Sequence, residues 1–300
     1  MRYRLAAALD ALVDRVEREE RLDPLADKVA AAGKALKAGG VKDLLSGTPF
    51  GHPAHPVLVT VPIGAWVTAT YLDLVGGRKG RASAQQAVGL GVVSALPAVA
   101  TGLSDWFDTA GAERRVGLVH ASVNDLAIGL FGASWVARRR GRYGLGVGLA
   151  AAGFTALGAG GWLGGHLAYA QGVGVDTTAF QKAPEDWTDV GSLGDLGEGH
   201  PTSIDAAGVP VLLVRQGQTV RALADRCTHR GAPLHDGAEV REGCIVCPWH
   251  HSRFSLDDGR VVRGPATRPQ PVYEVRVVDE RVQVRRAGEP RSLRTNPAGV

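Results

Sequence analysis

The chain has 300 residues, 45% hydrophobic and 21% charged, with a net charge of +4 and three cysteines. Its basic residues sit in short runs beside apolar segments rather than in a stripe interleaved with aromatics, which argues against a nucleic-acid partner. Two of the three cysteines stand at ligand-like spacing, so no disulfide framework is available.

Residues 1–50 form an amphipathic N-terminal segment. Its two stretches, Leu5 to Val16 and Leu25 to Leu36, break near Asp23 and Pro24. They are expected as surface helices able to lie on a membrane. The early LAAAL is too short for a signal peptide.

Residues 51–170 hold four apolar runs. Between His55 and Val75 the only formal charge is Asp73; Ala82 to Ser104 has none; Val116 to Ala137 has only Asp125; Tyr143 to Val175 has none. A helix crosses a bilayer with about 20 apolar residues, so these runs predict an all-α, four-helix transmembrane bundle in contact with lipid. A soluble bundle of buried helices is the alternative, but it would show a polar face at helical period, and these runs do not. The last run is rich in glycine. Gly160/Gly164 and Gly161/Gly165 have the four-residue spacing that lets membrane helices approach closely.

Four histidines mark this half. His52 and His55 lie in GHPAHP at the start of the first run, His120 near the start of the third, and His166 near the end of the fourth. In an up-and-down bundle these positions share one membrane face, together with Asp105 and Trp106, and Asn124 lies one turn from His120. Ionisable groups at membrane depth are costly and usually functional. Facing histidines can ligate a b-type haem or a metal ion, or hydrogen-bond a quinone head, and the residues do not choose among these. The alternative is that each imidazole merely reaches headgroups or backbone carbonyls.

Membrane orientation is left open by the charges. Arg78, Lys79, Arg81, Arg138, Arg139, Arg140 and Arg142 favour cytoplasmic first and third loops, whereas Lys37, Lys42, Arg114, Arg115 and Lys182 weigh on the other face.

A Gly/Asp/Thr-rich linker is expected over 171–184. Residues 185–286 then show short runs with β character, VPVLLV (209–214), VRALA (220–224), VYEVRVV (272–278) and RVQVRR (281–286), which predict a small antiparallel all-β domain. Residues 287–300 form a C-terminal tail. Within the β domain, Cys227 and His229 form C-x-H, and Cys247 and His250 form C-x-x-H. Two thiolates and two imidazoles could hold one tetrahedral zinc.

Gly or Pro lies close to each box, and a third loop, Gly264-Pro265-Ala266-Thr267, follows. This arrangement resembles the Rieske iron-sulfur family. The resemblance implies a 2Fe-2S cluster with Cys227 and Cys247 on the inner iron and His229 and His250 on the outer one. Rieske proteins of quinol-oxidising complexes carry an extra, disulfide-linked cysteine in each box; Ala232 and Trp249 stand there in this chain. Phe254 replaces the tyrosine of the high-potential form, while Ser252 matches the serine that can bond a bridging sulfide. A potential toward the lower part of the Rieske range is expected. Cys244, His235 and His251 are read as bystanders. The apolar half resembles a family of predicted four-span membrane proteins with the same GHPxHP opening, often fused to a Rieske domain.

Two function classes remain. One is a membrane-bound one-electron transfer protein or oxidoreductase subunit that exchanges electrons with a partner protein or quinone. The other is a tethered ferredoxin or redox sensor whose bundle is only an anchor. No nucleotide loop, flavin fingerprint or mononuclear-iron triad is evident.

Overall fold

The computed structural model describes residues 4–33 and 39–287. The end of the second amphipathic stretch and the C-terminal tail beyond residue 287 lie outside the described residues. The chain divides into two compact units, 1–174 and 175–300.

In the first unit, α1 (Arg4–Arg18), α2 (Asp23–Gly33) and α3 (Gly40–Ser46) precede α4 (His55–Leu58), α5 (Thr60–Val75), α6 (Gly77–Trp106), α7 (Gly111–Arg139) and α8 (Tyr143–Tyr169). Among the described residues, four segments are long and apolar enough to cross a membrane: His55–Val75, Gly77–Trp106, Gly111–Arg139 and Tyr143–Tyr169. The last helix stops at Tyr169 rather than at Val175. Gln171 N–H and Val173 N–H turn back to the carbonyls of His166 and Leu167, and Gly172 and Gly174 take positive φ.

The N-terminal helices pack against the bundle. Val13 meets Val116 and Leu163. Arg115 grips Asp23 through two bonds of 2.7 Å, Arg114 pairs with Asp27 at 2.7 Å, and buried Lys42 reaches Asp108 at 2.8 Å. The apolar faces of α1 and α2 are thus accompanied by ion pairs that fix their register on α7.

The bundle core is layered. Trp66 and Phe131 stack at 4.1 Å with their planes 5° apart, and Gly91 makes room for the indole, since a Cβ there would lie 2.2 Å from Nε1. Two turns further along α5, Asp73 receives both guanidinium nitrogens of Arg138, at 2.7 and 2.5 Å, and the Tyr143 hydroxyl at 2.5 Å. Arg138 is therefore a buried partner of the lone charge in the first span, not a loop charge, and it drops out of the orientation count. Gly160 and Gly164 face Asn124 and His120, whereas Gly161 and Gly165 have open space before them. Only the first of the two four-residue glycine pairs serves this helix contact.

The second unit is all β. Strands β1 (Thr188–Ser192), β2 (Thr202–Asp205), β3 (Pro210–Gln216), β4 (Thr219–Ala224), β9 (Val272–Val278) and β10 (Arg281–Arg286) form one sheet in the order β1-β10-β9-β4-β3-β2. Strands β5 (Glu239–Arg241), β6 (Cys244–Val246), β7 (Arg253–Ser255) and β8 (Val261–Arg263) form a second. Every pairing between these strands is antiparallel. Strand β3 is buried on both faces. Val211 and Leu213 join one core with Ala222, Tyr273 and Val284, while Leu212 and Val214 join another with Leu223, Ile245 and Phe254. Side chains alternate across a strand, so a continuous apolar run here marks a strand with core on each side.

Candidate metal centre

Both cysteine-histidine boxes sit on loops of the second unit that leave the sheets. The first follows β4 and the second joins β6 to β7. Cys227 and Cys247 are each 1% exposed and belong to the core that holds Leu234, Ile245 and Phe254. Their thiols touch, and backbone N–H groups face each sulfur, from His229 and Arg230 toward Cys227 and from Trp249 and His250 toward Cys247. Contact with Cys227 brings the Cys247 thiol down to about 7, helped by those N–H groups and opposed by burial. Cys227 is held well up by the same contact and by burial. The pair thus holds one thiolate readily, and a second negative charge would need a cation beside it.

His229 and His250 lie partly exposed, with ring centroids 5.0 Å apart and planes at 88°. Trp249 stands beside His250 and is 55% exposed. The donor set of two buried thiols and two imidazoles nearer the surface fits a cluster with one thiolate-bound and one imidazole-bound iron.

The loops are braced by residues that no motif marks. Buried Gln270 donates to the carbonyls of Ala224 and Arg226, both at 2.7 Å, and accepts from Thr228 N–H at 3.2 Å. Buried Asp225 accepts from His235 N–H at 2.8 Å and from Ser203 Oγ at 2.9 Å, and meets His235 Nδ1 at 2.6 Å. His235 is therefore a brace of the first loop. Cys247 N–H bonds to the Ser252 carbonyl at 2.8 Å, and Ser252 Oγ accepts from Ala266 N–H at 3.0 Å, tying the second box to the third loop. The connector joins in as well. Thr177 donates its hydroxyl to the Cys227 carbonyl at 2.7 Å and its N–H to the Thr228 carbonyl at 3.2 Å. The sole advance signal for these braces is that Asp225 stands two residues before Cys227. Cys244 lies buried on β6, and His251 is exposed with φ +61°.

In the first unit the four histidines have different partners. His55 Nδ1 lies 2.8 Å from the Ala98 carbonyl, and His120 Nδ1 lies 2.9 Å from the Gly160 carbonyl. His166 Nε2 instead meets Glu17 at 3.0 Å, with Gln171 on the same carboxylate oxygen at 2.8 Å. His52 is exposed. Asn124 Nδ2 donates to the His120 carbonyl at 2.8 Å and lies against its ring.

Comparison with known proteins follows the division into two units. Residues 186–274 match the Rieske [2Fe-2S] domain, and residues 51–177 match a family described as predicted membrane protein (DUF2231). The β domain is similar to the ferredoxin subunit of anthranilate 1,2-dioxygenase from Burkholderia cepacia, 32% identical over 99 residues, which are 33% of this chain and 91% of that protein. It is also similar to part of the carotenoid phi-ring synthase of Chlorobaculum tepidum, 40% identical over 86 residues, which are 29% of this chain and 13% of that enzyme. Among solved structures, the ferredoxin of carbazole 1,9a-dioxygenase from Nocardioides aromaticivorans is 32% identical, with 34% of this chain and 100% of that one covered, at a TM-score of 0.33. Because nearly the whole of a ferredoxin subunit is matched, the chain belongs to the Rieske [2Fe-2S] family, whose domain implies a 2Fe-2S cluster, and carries a DUF2231 membrane-protein domain ahead of it.

Proposed function

We propose that this protein is a membrane-anchored one-electron carrier in which Cys227 and Cys247 hold the inner iron of the cluster and His229 and His250 hold the outer one. The observation that carries the reading is the pairing of two buried, touching thiols with two imidazoles set edge to face nearer the surface.

The residues of this chain divide the work. The thiolates and the peptide N–H groups aimed at them hold charge on the buried side, while the neutral imidazoles keep the total charge lower than four thiolates would. Gln270 and Asp225 fix the first loop, so the ligands need little rearrangement when the charge changes by one. Phe254, fully buried, brings no hydroxyl to the cysteine sulfurs, which supports a potential toward the lower part of the Rieske range. His229, His250 and exposed Trp249 form the exit for the electron. A docked redox protein is the natural partner, as the relatives named as dioxygenase ferredoxin subunits suggest.

The bundle, in this reading, anchors the carrier in the cell membrane and offers a second redox site around His55 and His120. Expression of the full chain with iron and sulfide tests the ligand assignment. His229→Ala and His250→Ala should lose or convert the cluster, and Cys244→Ser should keep its visible spectrum. Loss of the cluster in Cys244→Ser would overturn the assignment.

A further inference from the structure

The first unit repeats itself. His55, Trp66 and Asp73 on the first helical segment have counterparts His120, Phe131 and Arg138 on α7, each 65 positions later. Trp66 stacks on Phe131 and Asp73 pairs with Arg138, and His55 and His120 stand at the equivalent positions eleven residues before Trp66 and Phe131. The return helices α6 and α8 repeat at a second constant spacing. Gly91 lies under Trp66 as Gly153 lies under Phe131, Ala98 offers its carbonyl to His55 as Gly160 does to His120, and Gly102 and Gly164 lie beneath the two imidazoles. A Cβ at Gly102 or Gly164 would stand 2.8 or 3.0 Å from its ring. Like positions meet in the Trp66–Phe131 and Asp73–Arg138 layers, and the two imidazoles have equivalent surroundings in the third, as expected when two copies of a helical hairpin are related by a twofold axis along the bundle.

His52 and His166 have no histidine counterparts in this repeat; Gly117 and Ser104 stand at the equivalent positions. The paired histidines also have their tautomers fixed. A backbone carbonyl can only accept, so Nδ1 of each ring carries the hydrogen and Nε2 of the neutral ring keeps its lone pair; in His120 that nitrogen also has Asn124 Nδ2 3.4 Å away. Such an Nδ1–H···O=C bond is the support that orients a metal-ligating histidine. Two Nε2 lone pairs suit an electron-pair acceptor. An oxidised quinone, which offers only acceptor oxygens, does not complement them. The packing is uneven as well: α5 lies against α8 far less extensively than α6 against α7, the pair equivalent to it under the repeat.

We propose that the DUF2231 unit is a duplicated two-helix hairpin with one ligand site on its pseudo-twofold axis, built from His55 and His120, and that the site takes the iron of a haem between the two imidazoles. This rests on the reading of the bundle as a second redox site and gives that site its ligand class. Gly102 and Gly164 let the rings lie against the return helices, and the Trp66–Phe131 stack lies about three turns further along the same two helical segments.

The test is a haemin titration of the full-length protein in detergent, followed by optical and EPR spectra of the oxidised and reduced forms. One haem per chain with a six-coordinate, low-spin spectrum is expected. His55→Ala and His120→Ala should each abolish the low-spin signal, as should the size-conserving His55→Gln and His120→Gln, with helicity and thermal midpoint retained. His52→Ala and His166→Ala should leave it in place. Absence of low-spin haem in the wild type, or its persistence in the His55 and His120 variants, overturns the inference. A quinol titration on the same proteins separates the two readings: quinol binding that depends on His120 without haem binding leaves the redox-site reading standing and removes the haem, whereas neither ligand binding removes both.

Discussion

Thr177 donates its hydroxyl to the carbonyl of Cys227 at 2.7 Å, so the connector that precedes the β domain is fastened to the loop carrying one of the two candidate thiols. The same residue's N–H holds the next carbonyl, of Thr228, at 3.2 Å. Asp176 shapes the turn by accepting from Thr178 N–H at 2.9 Å and from its hydroxyl at 2.7 Å.

Replacing Thr177 with Val keeps the shape and deletes the side-chain bond. A bond of this kind contributes about 1 kcal/mol, so the thermal midpoint of cluster loss should fall modestly. The cluster potential should also fall, because the positive end of the O–H dipole then no longer faces the loop. Visible absorbance during heating and protein-film voltammetry measure the two effects. A variant with wild-type midpoint and potential would show that the contact is incidental.

The Asp73–Arg138 pair gives a prediction of a different kind. Both side chains are buried, at 5% and 0% exposure. Removing one partner leaves a buried charge unmatched, at a cost of about 3–5 kcal/mol. Asp73→Leu and Arg138→Leu should each lower the detergent-phase thermal midpoint markedly. The double variant should recover much of the loss, since it removes both charges. Additive losses in the double variant would mean that the two residues act independently.

Much of this architecture was legible in the sequence, because uninterrupted apolar runs and ligand spacing are strong local signals. The four long apolar helices, the four long strands β3, β4, β9 and β10, and both cysteine-histidine boxes could be read directly. The short strands β5 to β8 escaped notice because three residues give too little periodicity. The braces Gln270 and Asp225 escaped because a buried amide or carboxylate is recognised by what surrounds it, and those partners are distant in sequence. The internal repeat was also hidden. Among its matched pairs, Trp66 with Phe131 and Asp73 with Arg138 share a place in the fold and a mutual contact but not a residue type, and the identical pairs, such as His55 with His120 and Gly102 with Gly164, are too widely spaced to stand out along the chain. His166 meets Glu17 on α1 at 3.0 Å, a partner 149 positions away that no apolar run marks.

Tyr273 supplies a pH dependence. Burial pushes its phenol up to about 12, with the Gln181 amide, donating at 3.1 Å, acting in the opposite sense. An unfolded tyrosine ionises near 10. The stabilisation is therefore complete below pH 10 and is lost as the pH rises toward 12, by about 2 kcal/mol. Urea midpoints for cluster loss, compared between wild type and Tyr273→Phe across this window, should converge or cross as the wild type weakens. Parallel curves would contradict the assignment.

The central claim is a 2Fe-2S cluster held by Cys227, Cys247, His229 and His250, and metal and sulfide analysis of the purified full-length protein tests it most directly. The account predicts equal amounts of iron and acid-labile sulfide, two of each per chain on the β domain, with both falling together in Cys227→Ser and Cys247→Ser. Zinc in place of iron, with no labile sulfide, would contradict it.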